Sequence, residues 1–125
     1  MTHTLAWLSR HTPPRKLYRL LPQTRVVVLS TRWLVLPEVF RRLSVVAGGT
    51  APDCVCYVLP VAWEPSFLQI MQQRYPQTVT VRLWAAPDGS QEYERVWWHE
   101  ALGLVAGERT YGYKWLSELR EVRGV

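Results

Sequence analysis

The stretch DCVCYVLPVAWEPSFLQIMQQRYPQTVTVRLW, residues 53–84, decides the fold class. Its first part, residues 53–60, is a short and mainly apolar run of the kind found in strands buried in a sheet. Residues 65–75 place apolar side chains at helical spacing, and Pro76 ends that pattern. Residues 77–84 then alternate between valine or leucine and more polar side chains, which predicts a second strand. A strand, a helix and a strand in this order predict a βαβ unit of a parallel sheet.

The residues before this unit predict a further strand and helix. Residues 25–30 form a β-branched run that is typical of a strand buried on both faces. Residues 37–47 carry their apolar side chains on one helical face, and Gly48 with Gly49 provides a C-terminal stop. Residues 31–36 fit either an extension of the strand or the start of a helix, and the sequence leaves both open.

The N-terminal segment predicts two short helices. They cover residues 4–10 and 15–21, and the breaker HTPP at residues 11–14 separates them. We therefore interpret residues 1–24 as a basic helical segment that packs on the domain or extends from it.

The C-terminal part predicts a hairpin and a final helix. The sequence APDGS at residues 86–90 favours a tight turn, so residues 92–98 are expected to return as an antiparallel strand. A glycine-containing loop follows, and residues 111–122 predict the last helix. The expected fold is a single α/β domain over residues 1–125, with a mainly parallel three-stranded βαβαβ core, one added antiparallel strand and helices packed on the sheet.

Composition limits the class of protein. The chain has 125 residues, of which 48% are hydrophobic and 20% charged, as in one ordinary globular domain. Charges or prolines interrupt every apolar run before it reaches the length of a membrane span, and the N-terminus lacks the pattern of a signal peptide. We therefore expect a cytoplasmic location, while the oligomeric state stays open.

The charge is distributed unevenly. Residues 1–42 hold eight basic side chains and one acidic one, a net charge of +7, whereas residues 43–125 have a net charge of −2. Arginine dominates, and its planar guanidinium suits contacts with phosphate and carboxylate groups. The predicted partner-binding face comprises Arg10, Arg15, Lys16, Arg19, Arg25, Arg32, Arg41 and Arg42.

This charge favours an interaction module that contacts an acidic macromolecule, and nucleic acid and protein fit it almost equally well. Arginine beside aromatic residues suits phosphate contact with base stacking. In a protein complex, an adaptor or regulatory subunit with exposed tryptophan and arginine would use the same residues as binding hot spots. A solvated surface with no partner is the simplest alternative, and Pro13 with Pro14 argues against a membrane-bound helix.

The sequence assigns no catalytic residue, cofactor or metal. It contains no nucleophile elbow or phosphate-binding glycine loop, and Cys54 and Cys56 are interpreted as buried, reduced thiols. Glu92 and Glu94 are interpreted as part of a solvated strand face. An enzyme is less expected than a binding module, and its site would lie at the carboxyl ends of the parallel strands. The residues expected there are Ser30, Thr31, Trp63, Glu64 and Asp88.

Overall fold

Six strands and three α-helices form the described part of the chain. The computed structural model describes residues 3–13, 15–20, 24–31, 35–46, 50–85 and 91–110. The strands are β1 His3–Leu8, β2 Thr24–Leu29, β3 Cys54–Tyr57, β4 Val79–Ala85, β5 Gln91–His99 and β6 Leu104–Thr110. The helices are α1 Arg15–Leu20, α2 Leu36–Val46 and α3 Glu64–Arg74, with a single 3₁₀ turn at Val61–Trp63.

All six strands belong to one mixed sheet with the order β2-β1-β3-β4-β5-β6. The first four strands in this order are parallel, and β5 and β6 continue the sheet antiparallel. The predicted α/β class is therefore confirmed as a mixed sheet covered by helices, and the predicted antiparallel return of residues 92–98 is confirmed as part of β5. No helix within the described ranges combines the length and apolar character that a bilayer crossing requires.

The predicted helix at residues 4–10 is wrong, because residues 3–8 form β1, which lies between β2 and β3 in the sheet. Its side chains alternate between the two faces, with Leu5 and Trp7 on one and Ala6 and Leu8 on the other, and all four are buried. A short apolar run buried on both faces lacks a period that distinguishes strand from helix. The parallel part of the sheet therefore has four strands instead of three.

The loop predicted between residues 98 and 111 is wrong in its second part, because Leu104–Thr110 pairs with β5 as strand β6. Gly103 has a φ of 61° and forms the turn that glycine favours. Gly107 instead lies within the strand opposite Val96, where an added Cβ would lie 2.5 Å from Glu94 Oε1. The predicted turn at residues 86–90, the predicted helix at residues 111–122 and the centre of residues 31–36 lie outside the described residues.

The sheet carries a buried apolar cluster on each face. Leu17 of α1 packs with Leu5, Trp7 and Val81 on one face. Side chains of α2 and α3 pack on the opposite face, where Phe40 and Phe67 have ring centroids 5.5 Å apart. Helix α1 and helix α2 therefore lie on opposite sides of the sheet.

This arrangement creates a topological switch point. From β1 the chain passes through α1 to β2 at one edge, and from β3 it passes through α3 to β4 in the other direction. The connections that leave the adjacent strands β1 and β3 therefore diverge. In open α/β sheets, the carboxyl ends of two such strands border a crevice in which ligands bind.

Candidate functional site at the carboxyl edge of the sheet

The loop that follows β1 lies at the switch point and presents polar side chains there. Ser9 is buried, whereas Arg10 and His11 are exposed. The Trp7 Nε1 donates a hydrogen bond of 2.9 Å to the carbonyl of His11, and the His11 backbone N–H donates one of 3.1 Å to Ser9 Oγ. These two bonds fix the loop backbone and leave the arginine and imidazole groups facing solvent.

The loop is anchored to the adjacent strand as well. The backbone N–H of Val58, directly after β3, donates a hydrogen bond of 2.8 Å to the carbonyl of Leu8. Ser9 therefore lies next to Val58 where the two strands end. Helix α1 follows the loop and adds Arg15 and Arg19, which are both exposed.

A second group of polar side chains lies at the ends of β3 and β4. Arg82 of β4 donates from its Nε to Oε2 of Glu64, at 2.9 Å, and from Nη2 to Glu64 Oε1. Its Nη1 lies 3.5 Å from Oε1 of Glu94, which is its register partner on β5. Glu64 is only 6% exposed and begins α3, where a carboxylate also interacts favourably with the helix dipole. One arginine thus holds two carboxylates at the edge of the site.

Tyr57 brings a buried phenol to the same group. It is the register partner of Arg82 on β3, it is fully buried, and its ring packs edge-on against Phe67. Burial raises the pKa of Tyr57, and the charge of Glu64 raises it further, so the hydroxyl keeps its proton. Within the described part of the chain no hydrogen bond of standard geometry reaches this hydroxyl, but the Arg82 guanidinium lies close enough to interact with it and offsets part of the rise in its pKa.

A cleft of about 280 Å³ opens above the ends of β3 and β4. Apolar side chains line most of it, and Glu64 and Arg82 supply its polar part. Its exposed rim includes Val58, next to the switch-point loop, and Val61, which is 85% exposed. The complete lining is Val58, Leu59, Val61, Glu64, Arg82 and Leu83.

The residues of the predicted basic face lie in several separate parts of the structure. Arg10 lies in the switch-point loop, Arg15, Lys16 and Arg19 belong to α1, and Arg25 is exposed on the edge strand β2. Arg41 and Arg42 lie on α2, across the sheet from α1. Arg32 lies outside the described residues. The arginines therefore do not form one continuous face.

The arginines of α2 are also paired. Arg41 and Arg42 donate from their Nε atoms to the carboxylate of Glu38, at 2.9 and 3.1 Å. These hydrogen bonds lower the pKa of Glu38 from 4.5 to about 2. In contrast, no acidic side chain among the described residues pairs with Arg10, Arg15 or Arg19.

The predicted strand-end residues are brought together only in part. Trp63 and Glu64 adjoin the cleft, and Glu64 is held by Arg82. Ser30 and Thr31 follow β2, and β1 separates that strand from β3. Asp88 lies outside the described residues.

Sequence reasoning missed Ser9, His11, Tyr57 and Arg82. The wrong helix prediction hid the loop after β1. Arg82 gives no signal in the sequence, because it falls on the more polar face of the alternating residues 77–84, which α3 covers in the structure. The interpretation of Glu94 as part of a solvated face is wrong, since its side chain is only 19% exposed and contacts Arg82.

The cysteines take no part in this site. Cys54 and Cys56 are free, fully buried thiols, as predicted, with their Sγ atoms 3.9 Å apart. Burial raises the pKa of the Cys56 thiol, so it stays protonated. Within the described ranges, no group of three histidine, cysteine, aspartate or glutamate side chains could hold a metal ion.

No protein-family model, curated protein or solved structure matches this chain.

Proposed function

We propose that this domain is a binding module for the phosphate groups of a nucleotide or of single-stranded nucleic acid. The phosphates would bind the loop after β1, at the switch point between β1 and β3. The observation that carries the proposal is the fixed backbone of this loop, which presents Arg10 and His11 to solvent where open α/β sheets bind their ligands.

The charge of the chain supports this ligand class. The protein has a net charge of +5, and Arg10, Arg15 and Arg19 follow one another through the loop and α1 without an acidic partner among the described residues. A guanidinium forms two parallel hydrogen bonds with a phosphate, and a short arrangement of such groups releases counterions from a nucleic acid. The arginines of α2 are excluded from the proposed site because Glu38 neutralises part of their charge on the other side of the sheet.

Fluorescence anisotropy with two labelled probes tests the proposal. The probes are a single-stranded oligonucleotide of about twelve nucleotides and a nucleoside triphosphate. We expect both to bind in low salt, and the affinity for the oligonucleotide to fall at least about tenfold between ~20 and ~150 mM salt if two or more phosphates are contacted. Absence of binding by both probes at low salt would overturn the proposal.

A second candidate is binding to an acidic protein, and the hairpin of β5 and β6 favours it. Trp97 is 36% exposed there and lies on the same face as the exposed Leu104, with Leu102 at the turn. Tryptophan and arginine are frequent hot spots of protein interfaces. A labelled polyglutamate peptide is the probe. This candidate is supported if the peptide binds more tightly than an oligonucleotide of equal charge and Trp97→Ala weakens that binding. It is rejected if the peptide binds more weakly than the oligonucleotide and Trp97→Ala leaves its affinity unchanged.

A further inference from the structure

Helix α1 exposes an aromatic ring beside its arginines. Tyr18 is 47% exposed, and Arg15 and Arg19 are exposed as well. Helix positions i, i+3 and i+4 are surface neighbours, with Cβ atoms about 5–6 Å apart, so these three side chains form one patch. Leu17 lies on the opposite side of the helix and packs in the core.

Among the described residues, this ring takes no part in the core. Leu17 is fully buried and packs α1 onto the sheet, whereas Tyr18 belongs to neither of the two buried clusters. Val28 is a second exposed apolar side chain on the face that α1 covers: it is the register partner of Trp7 and is 45% exposed. Apolar and basic groups are therefore exposed together, which suits a ligand that combines flat rings with negative charge.

We infer that the ligand of the loop after β1 is single-stranded nucleic acid, and that one of its bases stacks on Tyr18 while the flanking phosphates contact Arg15 and Arg19. The inference rests on the proposed function and names its ligand. Basic groups that follow the backbone and an aromatic ring that stacks a base are the two parts of a single-strand binding surface.

The order of the groups fits a strand better than a free nucleotide. The helix rises about 1.5 Å per residue, so Tyr18 lies beyond Arg15 and before Arg19 along the axis of α1. A nucleotide inside a strand has a phosphate on both sides of its base-bearing sugar, whereas a free nucleotide has phosphates on one side only. Arg10, in the loop that precedes α1, provides a guanidinium for the next phosphate of a strand.

Fluorescence anisotropy at low salt with two labelled strands of equal length tests the inference. One is an oligothymidylate of about twelve nucleotides, and the other is an abasic strand that has the same phosphates and no bases. We expect the wild-type chain to bind the oligothymidylate at least about fivefold more tightly than the abasic strand, which is the gain from one stacked base.

Two variants at the exposed position 18 identify the ring as the cause. Tyr18→Leu keeps an apolar side chain of high helix propensity without a ring, so it should reduce the affinity for oligothymidylate to that for the abasic strand. Tyr18→Phe keeps the ring and is the matched control, which should retain the wild-type preference. Both changes should leave the thermal unfolding midpoint unchanged, because the side chain is exposed.

The possible results separate this inference from the proposed function. Equal affinity of the wild type for the two strands, or an unchanged affinity for oligothymidylate in Tyr18→Leu, overturns base stacking and leaves phosphate binding intact. Equal losses in Tyr18→Phe and Tyr18→Leu also overturn stacking, because they assign the effect to the hydroxyl.

Three further results concern the class of ligand. Thymidine triphosphate that binds as tightly as oligothymidylate overturns the assignment of a strand. A labelled polyglutamate peptide of equal charge that Tyr18→Leu weakens as strongly as oligothymidylate overturns nucleic acid in favour of an acidic protein. Absence of binding by both strands and by thymidine triphosphate overturns this inference together with the proposed function.

Discussion

The two edges of the parallel sheet use polar groups in opposite ways. At the amino edge, Asp53 holds neighbouring strands together: its carboxylate accepts a hydrogen bond of 2.7 Å from the Thr4 backbone N–H. Its own backbone N–H donates to the Thr4 carbonyl at 2.8 Å, and its carbonyl accepts from the Val79 N–H at 3.0 Å. Thr78 Oγ1 donates to the Pro52 carbonyl beside it.

At the carboxyl edge, Arg82 likewise pairs with Glu64 and Glu94, but the loop after β1 combines a fixed backbone with charged side chains that are left available. The loop after β1 is held by Trp7 and Ser9, while Arg10 and His11 face solvent. The amino edge also presents one exposed arginine among the described residues, Arg25, but it lies within strand β2 in register with Thr4 and not on a loop held by side-chain hydrogen bonds.

This difference between the two edges predicts that stability and binding depend on different residues. Polar groups that the chain pairs with itself stabilise the fold, whereas polar groups presented on a fixed backbone without a partner are available to a ligand. We therefore expect changes at Asp53 to alter the free energy of unfolding, and changes in the loop after β1 to alter binding.

The largest expected effect is the loss of binding on Arg10→Ala. Hydrogen bonds to charged groups contribute about 1.5–3 kcal/mol, so the affinity for the labelled oligonucleotide should fall about 10- to 100-fold. The free energy of unfolding should change by less than ~0.5 kcal/mol, because the side chain is exposed. Anisotropy and urea denaturation measure the two quantities. Arg41→Ala on α2 is the control, and a loss of affinity equal to that of Arg10→Ala would show that the site is placed wrongly.

The reverse effect is expected from Asp53→Ala at the amino edge. This change removes the acceptor of the Thr4 N–H, so the free energy of unfolding should fall by about 2 kcal/mol. Affinity measured at a temperature where the variant is folded should stay within twofold of the wild-type value. A strong loss of binding by the folded variant would contradict the division between the two edges.

Smaller effects are expected from Arg15→Ala and Arg19→Ala on α1. Both side chains are exposed on the helix that directly follows the loop after β1. We expect them to contact phosphates at the margin of the proposed site. Each change should weaken oligonucleotide binding about three- to tenfold and reduce the slope of log affinity against log salt by about 1. An unchanged slope in both variants would confine the site to the loop.

The smallest effect concerns Glu38, in the first turn of α2 on the face of the sheet opposite α1. Its pKa in the folded state is about 2, below its ordinary value of 4.5, so its ion pairs stabilise the fold above pH ~4.5. This contribution is lost as the pH falls from ~4.5 to ~2. The difference in thermal midpoint between the wild type and Glu38→Gln should therefore shrink over that range, while oligonucleotide binding at pH 7 changes less than twofold. A difference in midpoint that stays constant across this pH range would contradict the Glu38 ion pairs.

The sequence predicts much of the fold because several elements have a distinct pattern. Residues 77–84 alternate and residues 65–75 follow a helical period, and both elements occur as β4 and α3 with shifts of one or two residues. The inner strand β1 was missed because a run that is apolar on both faces shows neither the helical nor the strand period. Strand β6 was missed because Gly107 suggests a loop, whereas the strand needs a small residue beside Glu94.

The sequence predicted the general position of the candidate site but not the residues that form it. A rim at the carboxyl ends of the strands follows from the α/β class. Its members depend on strand order, and sequence periodicity carries no information about which strands are neighbours. Arg82 meets Glu64 and Glu94 only because β4 lies between β3 and β5. The separation of Arg10 from Arg41 depends in the same way on α1 and α2 covering opposite faces.

A backbone amide NMR titration of the wild-type chain with inorganic triphosphate would locate the residues that bind phosphate. We predict that the saturable chemical-shift changes are largest at residues 9–12, at the carboxyl edge, and that amides near Asp53 and on α2 move little. Largest changes at α2 or at the amino edge, or no saturable change at low salt, would contradict phosphate binding at the switch point.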